Sequence, residues 1–374
     1  MADVAVFGYV VPLLVVLVAV ALVVALLLAV SLYLTVSLSV YRAIKETRRD
    51  RVRPDLRDSL LDRLFAEEPD WEAWVAELST VERTVVESLL DEYLRELDGQ
   101  EATQLRGLGE ALGIPERAAG QLSHRDVYTR LDALTWLTLL DHPEPVLESS
   151  FEPATPRERA ATVTLLESSG RLPDVATGVS MLLDGVDEQF TVFGQDTLYR
   201  VARTDPGPLL QTASREYDAW PEPLLAQVLA VCSQLETSVR EGELTWLTAS
   251  LETENEAIRA AAADALGSFG WRASLRDQVF LERATNDSSP RVRAAVYRML
   301  AAWGDQEALW ILLFALVEEE DPRALTLGTA ALIERRDRID TDAGAVLGEA
   351  WAWSDEHAAY DRRARKRSTE PVGG

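Results

Sequence analysis

Two stretches of this sequence decide its fold, NEAIRAAAADALGSFG (Asn255–Gly270) and SPRVRAAVYRMLAAWG (Ser289–Gly304). They superpose with an offset of 34 residues, which places Leu266 on Leu300. Self-similarity at a period of this length is typical of repeat proteins, in which each copy is one structural unit. The sequence therefore predicts an array of similar units.

Each copy predicts one amphipathic helix. Ile258, Ala262 and Phe269 recur at the spacing of a single helical face. Ser289 followed by Pro290 is typical of a helix start, and the glycine that closes each copy is expected to take a positive φ. A helix with one apolar face cannot bury that face alone, so stacked copies are expected.

Weaker copies extend the pattern in both directions. The residue that is expected to anchor each unit in the core is Leu134, Leu166, Leu198, Cys232, Leu266, Leu300 or Leu332, at intervals of 32 to 34 residues. Second helices are expected between the anchors, over Gly242–Leu251, Leu275–Ala284 and Gln306–Val317. Two helices per unit predict an all-α chain whose main part is an α-solenoid of about seven helix pairs.

The order of residues within the two strong copies, an aliphatic residue, Arg, Ala, Leu and Gly, resembles the HEAT repeat, including the short PBS-lyase HEAT-like form. The resemblance is most specific over Leu251–Gly304 and covers roughly Arg125–Glu334. It implies an extended solenoid surface on which a partner protein lies. Short elements within Asp58–Glu144 look like membrane-anchored prokaryotic HEAT proteins that accompany polysaccharide-building glycosyltransferases.

The sequence offers no candidate for catalysis. The HEAT-like deoxyhypusine hydroxylase holds its di-iron centre with His-Glu pairs, whereas His124, His142 and His357 are followed by Arg, Pro and Ala. Phosphate-loop and nucleophile-elbow motifs are absent, and the lone Cys232 is expected to be a buried apolar residue. We therefore predict no catalytic, cofactor-binding or metal-binding residues, no cofactor and no enzyme activity. A HEAT-like lyase or modifying enzyme that acts in the solenoid groove stays open as the alternative.

The N-terminal region is strongly apolar. No charged residue occurs from Val4 to Tyr41, and Val10–Val30 is interrupted only by Pro12. As a helix, this segment would be about 31 Å long, close to the thickness of a bilayer core. Basic residues begin at Arg42, and none precedes the apolar segment. These features predict a single-pass protein of the cell membrane, with its N-terminus outside and its C-terminal domain in the cytoplasm.

The charge balance is strongly acidic. Asp and Glu number 62 against 37 Lys and Arg, which gives a net charge of −25, and only Lys45 and Lys366 are lysines. Spread acidity with so little lysine resembles the proteins of salt-loving archaea, in which carboxylates keep the surface solvated. An acidic docking surface is the alternative. Either interpretation argues against nucleic acid as a partner, because phosphates repel such a surface.

These features together predict an order of segments along the chain. The segments are 1–41, external N-terminus and transmembrane helix; 42–57, basic juxtamembrane segment; 58–121, N-terminal helical cap or docking module; 122–340, HEAT-like solenoid; 341–374, C-terminal capping helix and basic tail. Trp351 and Trp353 lie two residues apart on the last helix, so they cannot share one buried face. One of them is either an interface anchor or partly buried. The basic tail includes Arg362–Arg367.

The function expected from the sequence is that of a membrane-tethered scaffold or adaptor. Its partner is expected to be another membrane protein, such as a polysaccharide glycosyltransferase, or a cytoplasmic protein recruited to the membrane. A tether would concentrate the solenoid at the inner face of the membrane. Neither nucleic acid nor a small-molecule ligand is expected.

Overall fold

The computed structural model describes residues 3–6, 9–66, 69–149, 151–235, 244–270, 272–339 and 342–358. The chain divides into two compact units, Met1–Glu116 and Arg117–Gly374. Two short antiparallel strands, β1 (Asp3–Val6) and β2 (Tyr9–Pro12), begin the first unit. This strand pair was not predicted, and its β-branched residues suit extended backbone. The other regular elements of the described residues are helical, in agreement with the all-α prediction.

The helices of the first unit pack around a small core. They are α1 (Leu13–Leu64), α2 (Trp71–Glu77), α3 (Thr80–Glu96), α4 (Gly99–Ala111) and the beginning of α5 (Ile114–Gln121). The last turns of α1 bury Leu56, Leu60 and Leu64, which recur every four residues and face α3. A capping box begins α3: the Ser79 hydroxyl accepts from the Glu82 N–H, and the Glu82 carboxylate accepts from the Ser79 N–H.

The structure contradicts the predicted membrane anchor. In the part of the chain that is described, no helix combines the length and the hydropathy that crossing a membrane requires. The predicted span Val10–Val30 begins in strand β2 instead of a helix, and α1 continues without a break into the charged residues after Arg42. The predictions of a single transmembrane helix and of a single-pass location in the cell membrane are therefore not upheld. The described apolar side chains in this part of α1, such as Leu22 and Leu32, are exposed.

The second unit is a helical array. After the end of α5, its helices are α6 (Val127–Leu139), α7 (Glu144–Glu148), α8 (Pro156–Ser168), α9 (Val175–Leu183), α10 (Val192–Ala202), α11 (Gly207–Glu216), α12 (Glu222–Cys232), α13 (Thr245–Ser250), α14 (Glu256–Ser268), α15 (Ala273–Arg276), α16 (Leu281–Thr285), α17 (Pro290–Trp303), α18 (Gln306–Val317), α19 (Pro322–Ile333), α20 (Ala343–Leu347) and α21 (349–358). A single 3₁₀ turn, Arg336–Arg338, follows α19.

These helices form two layers, as a solenoid requires. The first layer is α6, α8, α10, α12, α14, α17 and α19, each of which packs on the next. The second layer includes α9, α11 and α13, which stack in that order, and α18, which packs on α20. The predicted second helix Gln306–Val317 is confirmed as α18, whereas Leu275–Ala284 is split into α15 and α16.

Glycines end several first-layer helices in the predicted way. Gly170, Gly270 and Gly304 have φ values of 66°, 78° and 64°. Only glycine takes this left-handed conformation without strain, and it lets backbone N–H groups at the helix end bond the last carbonyl oxygens, as Gly304 does with Leu300, while the chain turns away from the helix. The predicted anchor residues are all buried in the core of the array, with side chains at most 4% exposed.

Candidate functional site

Arginine side chains join successive first-layer helices of the array. Arg259 on α14 donates from Nε and Nη2 to the two carboxylate oxygens of Asp287, at 2.7 and 2.9 Å. Its Nη1 donates to the Thr253 and Glu254 carbonyl oxygens of the loop that precedes α14. Asp287 lies in the loop before α17, so one guanidinium connects the starts of two neighbouring helices. We call each such connection a rung.

Arg293 forms the next rung from α17. Its Nε and Nη2 donate to the Glu319 carboxylate at 2.7 and 2.6 Å, and Nη1 donates to the Asp287 carbonyl oxygen. The buried Tyr297 hydroxyl also donates to Glu319, at 2.7 Å. Burial alone would raise the pKa of Glu319, but the bonds from Arg293, the Asp321 N–H and Tyr297 outweigh it and lower the pKa to about 2.

The first rung begins at Arg130 on α6 and shows how the first repeat of the array aligns with the later ones. Arg130 Nε donates to the fully buried Glu158 at 2.5 Å, and Nη1 donates to the carbonyl oxygens five and six residues earlier, as in Arg259. The core residue seven positions after Arg259 is Leu266, so the equivalent residue in α6 is Leu137 instead of the predicted Leu134. Asp141, with a φ of 56°, occupies the position of the helix-ending glycine.

The rungs are interrupted in the middle of the array. Arg159 on α8 occupies the ladder position, but its Nη1 donates to the Met181 and Asp184 carbonyl oxygens at the end of α9, at 3.3 and 2.5 Å. Each ladder arginine lies four residues after the N-cap of its helix, and the equivalent residues of α10 and α12 are Gln195 and Leu225, which carry no charge. The ladder therefore lapses between α8 and α12 and resumes at α14.

A glutamine replaces the missing rung between α10 and α12. The Gln227 carboxamide oxygen accepts from the Phe190 N–H at 2.7 Å, and its Nε2 donates to the Phe190 carbonyl oxygen at 2.9 Å. This pair of bonds satisfies both backbone groups of one residue and holds the loop 187–191 against α12. The Phe190 side chain is thereby kept in the core, 4% exposed.

An open groove lies where the ladder is interrupted. We call it the four-helix groove: it is lined by the first turns of α6, α8, α10 and α12 and by the loop 187–191, and its volume is about 970 Å³. Apolar side chains remain in solvent there, since Tyr128 is 72% exposed and Val192 86% exposed. Asp187, Glu188 and Arg157 are its charged residues. A preformed open surface of this kind suits a protein segment better than an enclosed small molecule.

The residues of this groove were not predicted from the sequence. A signal was present, because Tyr128 precedes Leu137 by nine residues and therefore lies on the opposite face of α6. An aromatic residue opposite the core residue is exposed unless another element covers it. The loop 187–191 carried no comparable signal, since its position depends on Gln227, 37 residues away from Phe190 in the sequence.

Two smaller cavities flank other loops of the array. One of about 310 Å³ lies beside the Arg259–Asp287 rung and is bordered by Phe280, whose side chain is 71% exposed. The other, of about 440 Å³, lies beside His124 and Phe151. The arginines of both cavities are already paired, since Arg259 and Arg130 form rungs and Arg283 pairs with Glu252.

The histidines lie apart from one another. The His124 ring accepts from the Asp126 N–H at 3.1 Å, His142 lies 3.8 Å from Glu144, and His357 stacks on Trp353 with ring centroids 3.8 Å apart. Among the described residues, no group of three His, Cys, Asp or Glu side chains is placed to hold a metal ion. Burial raises the pKa of the Cys232 thiol to about 12, so this cysteine is a poor nucleophile.

The two tryptophans of the last helix have different environments, as their spacing predicts. Trp351 is half-buried and packs against the core of the array, whereas Trp353 is 51% exposed and covers one face of His357. The predicted basic tail with Arg362–Arg367 lies outside the described residues.

Comparison with known proteins does not assign the chain to a family. No protein-family model matches the sequence, and no curated protein is significantly similar to it.

Proposed function

We propose that the unit Arg117–Gly374 is a protein-interaction scaffold without enzyme activity, and that the four-helix groove receives its partner. One observation carries this proposal: Tyr128 and Val192 place large apolar surfaces in solvent within a single groove. Apolar side chains that are exposed together in one groove are commonly part of a site of protein association.

The rungs support a rigid scaffold. Each guanidinium is bound by a carboxylate and by backbone carbonyl oxygens, so its role is to hold neighbouring helices in register. A surface that is fixed before binding loses little conformational entropy when a partner docks. The repeated pattern of Arg, core Leu and helix-ending residue also supports our proposal that these units are HEAT-like repeats.

Site-specific photo-crosslinking tests the scaffold function. A photoreactive phenylalanine analogue at position 192 of the full chain, illuminated in the native cells, is expected to form one dominant adduct with another protein. The matched control places the analogue at Leu327, which is 46% exposed on α19 and does not line the groove. Equal adduct patterns at both positions, or none at position 192, would overturn the proposal.

A further inference from the structure

The interrupted ladder leaves two carboxylates in the four-helix groove. Arg130 and Arg259 each bind the acidic residue 28 positions later in the sequence, Glu158 and Asp287 respectively. The residue 28 positions after Arg159 is Asp187, but Arg159 is turned toward α9. Asp187 thus matches this spacing without an arginine partner, although the place of Asp287 and Glu319, two residues before a helix N-cap, is held before α10 by Gln189.

Asp187 and its neighbour Glu188 are both exposed and line the groove. No cation in the described part of the chain forms an ion pair with either of them. Arg157, the one cation among the residues that line the groove, offsets one of these two carboxylates, so the lining residues keep a net charge of about −1. A positively charged group on a ligand would therefore meet complementary charge in the groove.

Apolar contacts flank these carboxylates. Val192 begins α10, directly after the loop that carries Asp187 and Glu188, and Tyr128 lies two helices away on α6. Packed helices are separated by about 9 Å, so the groove crosses about 27 Å from α6 to α12. An extended chain covers that distance in about eight residues.

The backbone at the far end of the groove favours an extended ligand. The first turn of α12 begins at Pro221 and has no side-chain cap. Pro221 and Pro223, which line the groove there, have no N–H group, so the N–H of the exposed Glu222 is the donor that this turn can offer to a peptide carbonyl oxygen. An extended segment has such carbonyl groups to offer, whereas those of a helix are already bonded within the helix.

We propose that the four-helix groove binds an extended segment of a partner protein in which a Lys or Arg lies between two large apolar side chains. The basic residue pairs with Asp187 and Glu188, and the apolar residues cover Tyr128 and Val192. This inference rests on the proposed scaffold function and specifies the chemistry of the partner.

Peptide selection tests this specificity. Random decapeptides displayed on phage are selected on the purified full-length chain, and the enriched sequences are measured as fluorescein-labelled synthetic peptides by polarisation. Enrichment of Lys or Arg between apolar residues is expected. Val192→Asp should weaken binding of these peptides by about tenfold or more, as the loss of a central apolar contact does.

Charge reversal provides the decisive comparison. The double variant Asp187→Lys/Glu188→Lys should bind the basic peptides at least about tenfold more weakly than the wild-type chain does. A new selection on this variant should enrich acidic peptides. Added salt should reduce the difference in peptide affinity between this variant and the wild-type chain, because it screens the charges. The matched control is Glu349→Lys/Glu356→Lys, which changes the net charge equally at exposed sites on α21.

The outcomes separate this inference from the scaffold function. Enrichment of acidic or uncharged peptides, of no peptides, or of peptides that bind the charge-reversed variant equally well would overturn the inference. If a partner is nevertheless crosslinked specifically at position 192, the groove is a docking site with a different preference. If the crosslink also fails, both proposals are wrong.

Discussion

Arg259 and Asp287 lie 28 residues apart in the sequence and are joined by two hydrogen bonds of 2.7 and 2.9 Å. Both side chains are largely shielded from water, at 14% and 13% exposed. Burial alone would raise the pKa of Asp287, but the bonds from Arg259 and the Ser289 N–H lower it overall. The pair therefore remains charged and fixes the spacing between α14 and α17.

Removing this guanidinium should destabilise the array. Arg259→Leu leaves the Asp287 carboxylate shielded and unpaired, which is expected to lower the free energy of unfolding by about 3 kcal/mol. Urea unfolding followed by circular dichroism measures the change. Arg323→Leu is the control, because Arg323 is exposed and forms no rung. Equal stabilities of the two variants would show that the rung does not hold the helices together.

Glu319 should make stability depend on pH in the acidic range. Its pKa is lowered in the folded chain from 4.5 to about 2. Above pH 4.5 the carboxylate is ionised in both states, so the stabilisation by Arg293 and Tyr297 is fully present. As the pH falls from about 4.5 to about 2, the unfolded chain takes up the proton first and this stability is lost.

The variant Glu319→Gln isolates this contribution. At pH 7 its free energy of unfolding should be about 3 kcal/mol lower than that of the wild-type chain, and this difference should shrink steadily below pH 4.5. Urea midpoints at a series of pH values provide the measurement. Glu320→Gln alters an exposed neighbour and should keep the wild-type dependence. A difference that stays constant down to pH 2 would argue against a lowered pKa of Glu319.

Gly328 lets α19 approach its neighbours. A Cβ at this position would lie 2.5 Å from Leu316 Cδ2 and 2.7 Å from Tyr297 Cδ2, and the Tyr297 ring is fixed by burial. Gly328→Ala should therefore lower the free energy of unfolding, measured by urea denaturation, by about 1–3 kcal/mol. Gly120→Ala has no atom within 4 Å of the new methyl group and should stabilise α5 by up to about 1 kcal/mol. The same sign for both substitutions would contradict the close packing.

Local sequence patterns accounted for much of the array. The helix-ending glycines Gly270 and Gly304 and the helix α18 were predictable, because helical periodicity and glycine conformation are properties of neighbouring residues. The first repeat of the array, on α6, shows the limit of predictions from local patterns. Leu134 and Leu137 are both apolar and both buried, and only the bonds of Arg130 show that Leu137 is equivalent to Leu266.

The four-helix groove could not be predicted in this way. It arises from the starts of four helices that span about a hundred residues of sequence, and from a loop held by Gln227. The hydropathy of Val10–Val30, in contrast, led to a prediction that the structure contradicts. Composition alone predicted a continuous apolar helix there, whereas the segment begins in a strand that pairs with β1.

Cys232 should report the integrity of the array. Its side chain is fully buried, and burial raises the pKa of its thiol to about 12, so the native state holds little reactive thiolate and does not expose it to a reagent. Alkylation by iodoacetamide at pH 8 should therefore be at least about tenfold slower in the native state than in 8 M urea, because it needs local opening of the array. Mass spectrometry gives both rates for a single site, since the chain has no other cysteine. Similar rates in the two conditions would show that the site is open to solvent.

Gln227 should determine the order of the groove loop. In Gln227→Leu the Phe190 N–H and carbonyl groups lose their partners, and the cost should be about 2 kcal/mol. Hydrogen exchange of the Phe190 amide measures the effect directly, and we expect exchange to accelerate by about thirtyfold. The control Gln189→Leu changes an exposed side chain of the same loop and should leave this exchange rate unchanged.

The variant Gln227→Glu distinguishes the two bonds of the clamp. A carboxylate can still accept from the Phe190 N–H, but it cannot donate to the Phe190 carbonyl oxygen. Protection of the Phe190 amide should therefore survive better in Gln227→Glu than in Gln227→Leu, although both variants lose stability. If the amide exchanges equally fast in both variants, the bond from Nε2 to the carbonyl oxygen is the one that holds the loop. If it is equally slow in both and in the wild-type chain, the loop is held by the burial of the Phe190 ring alone.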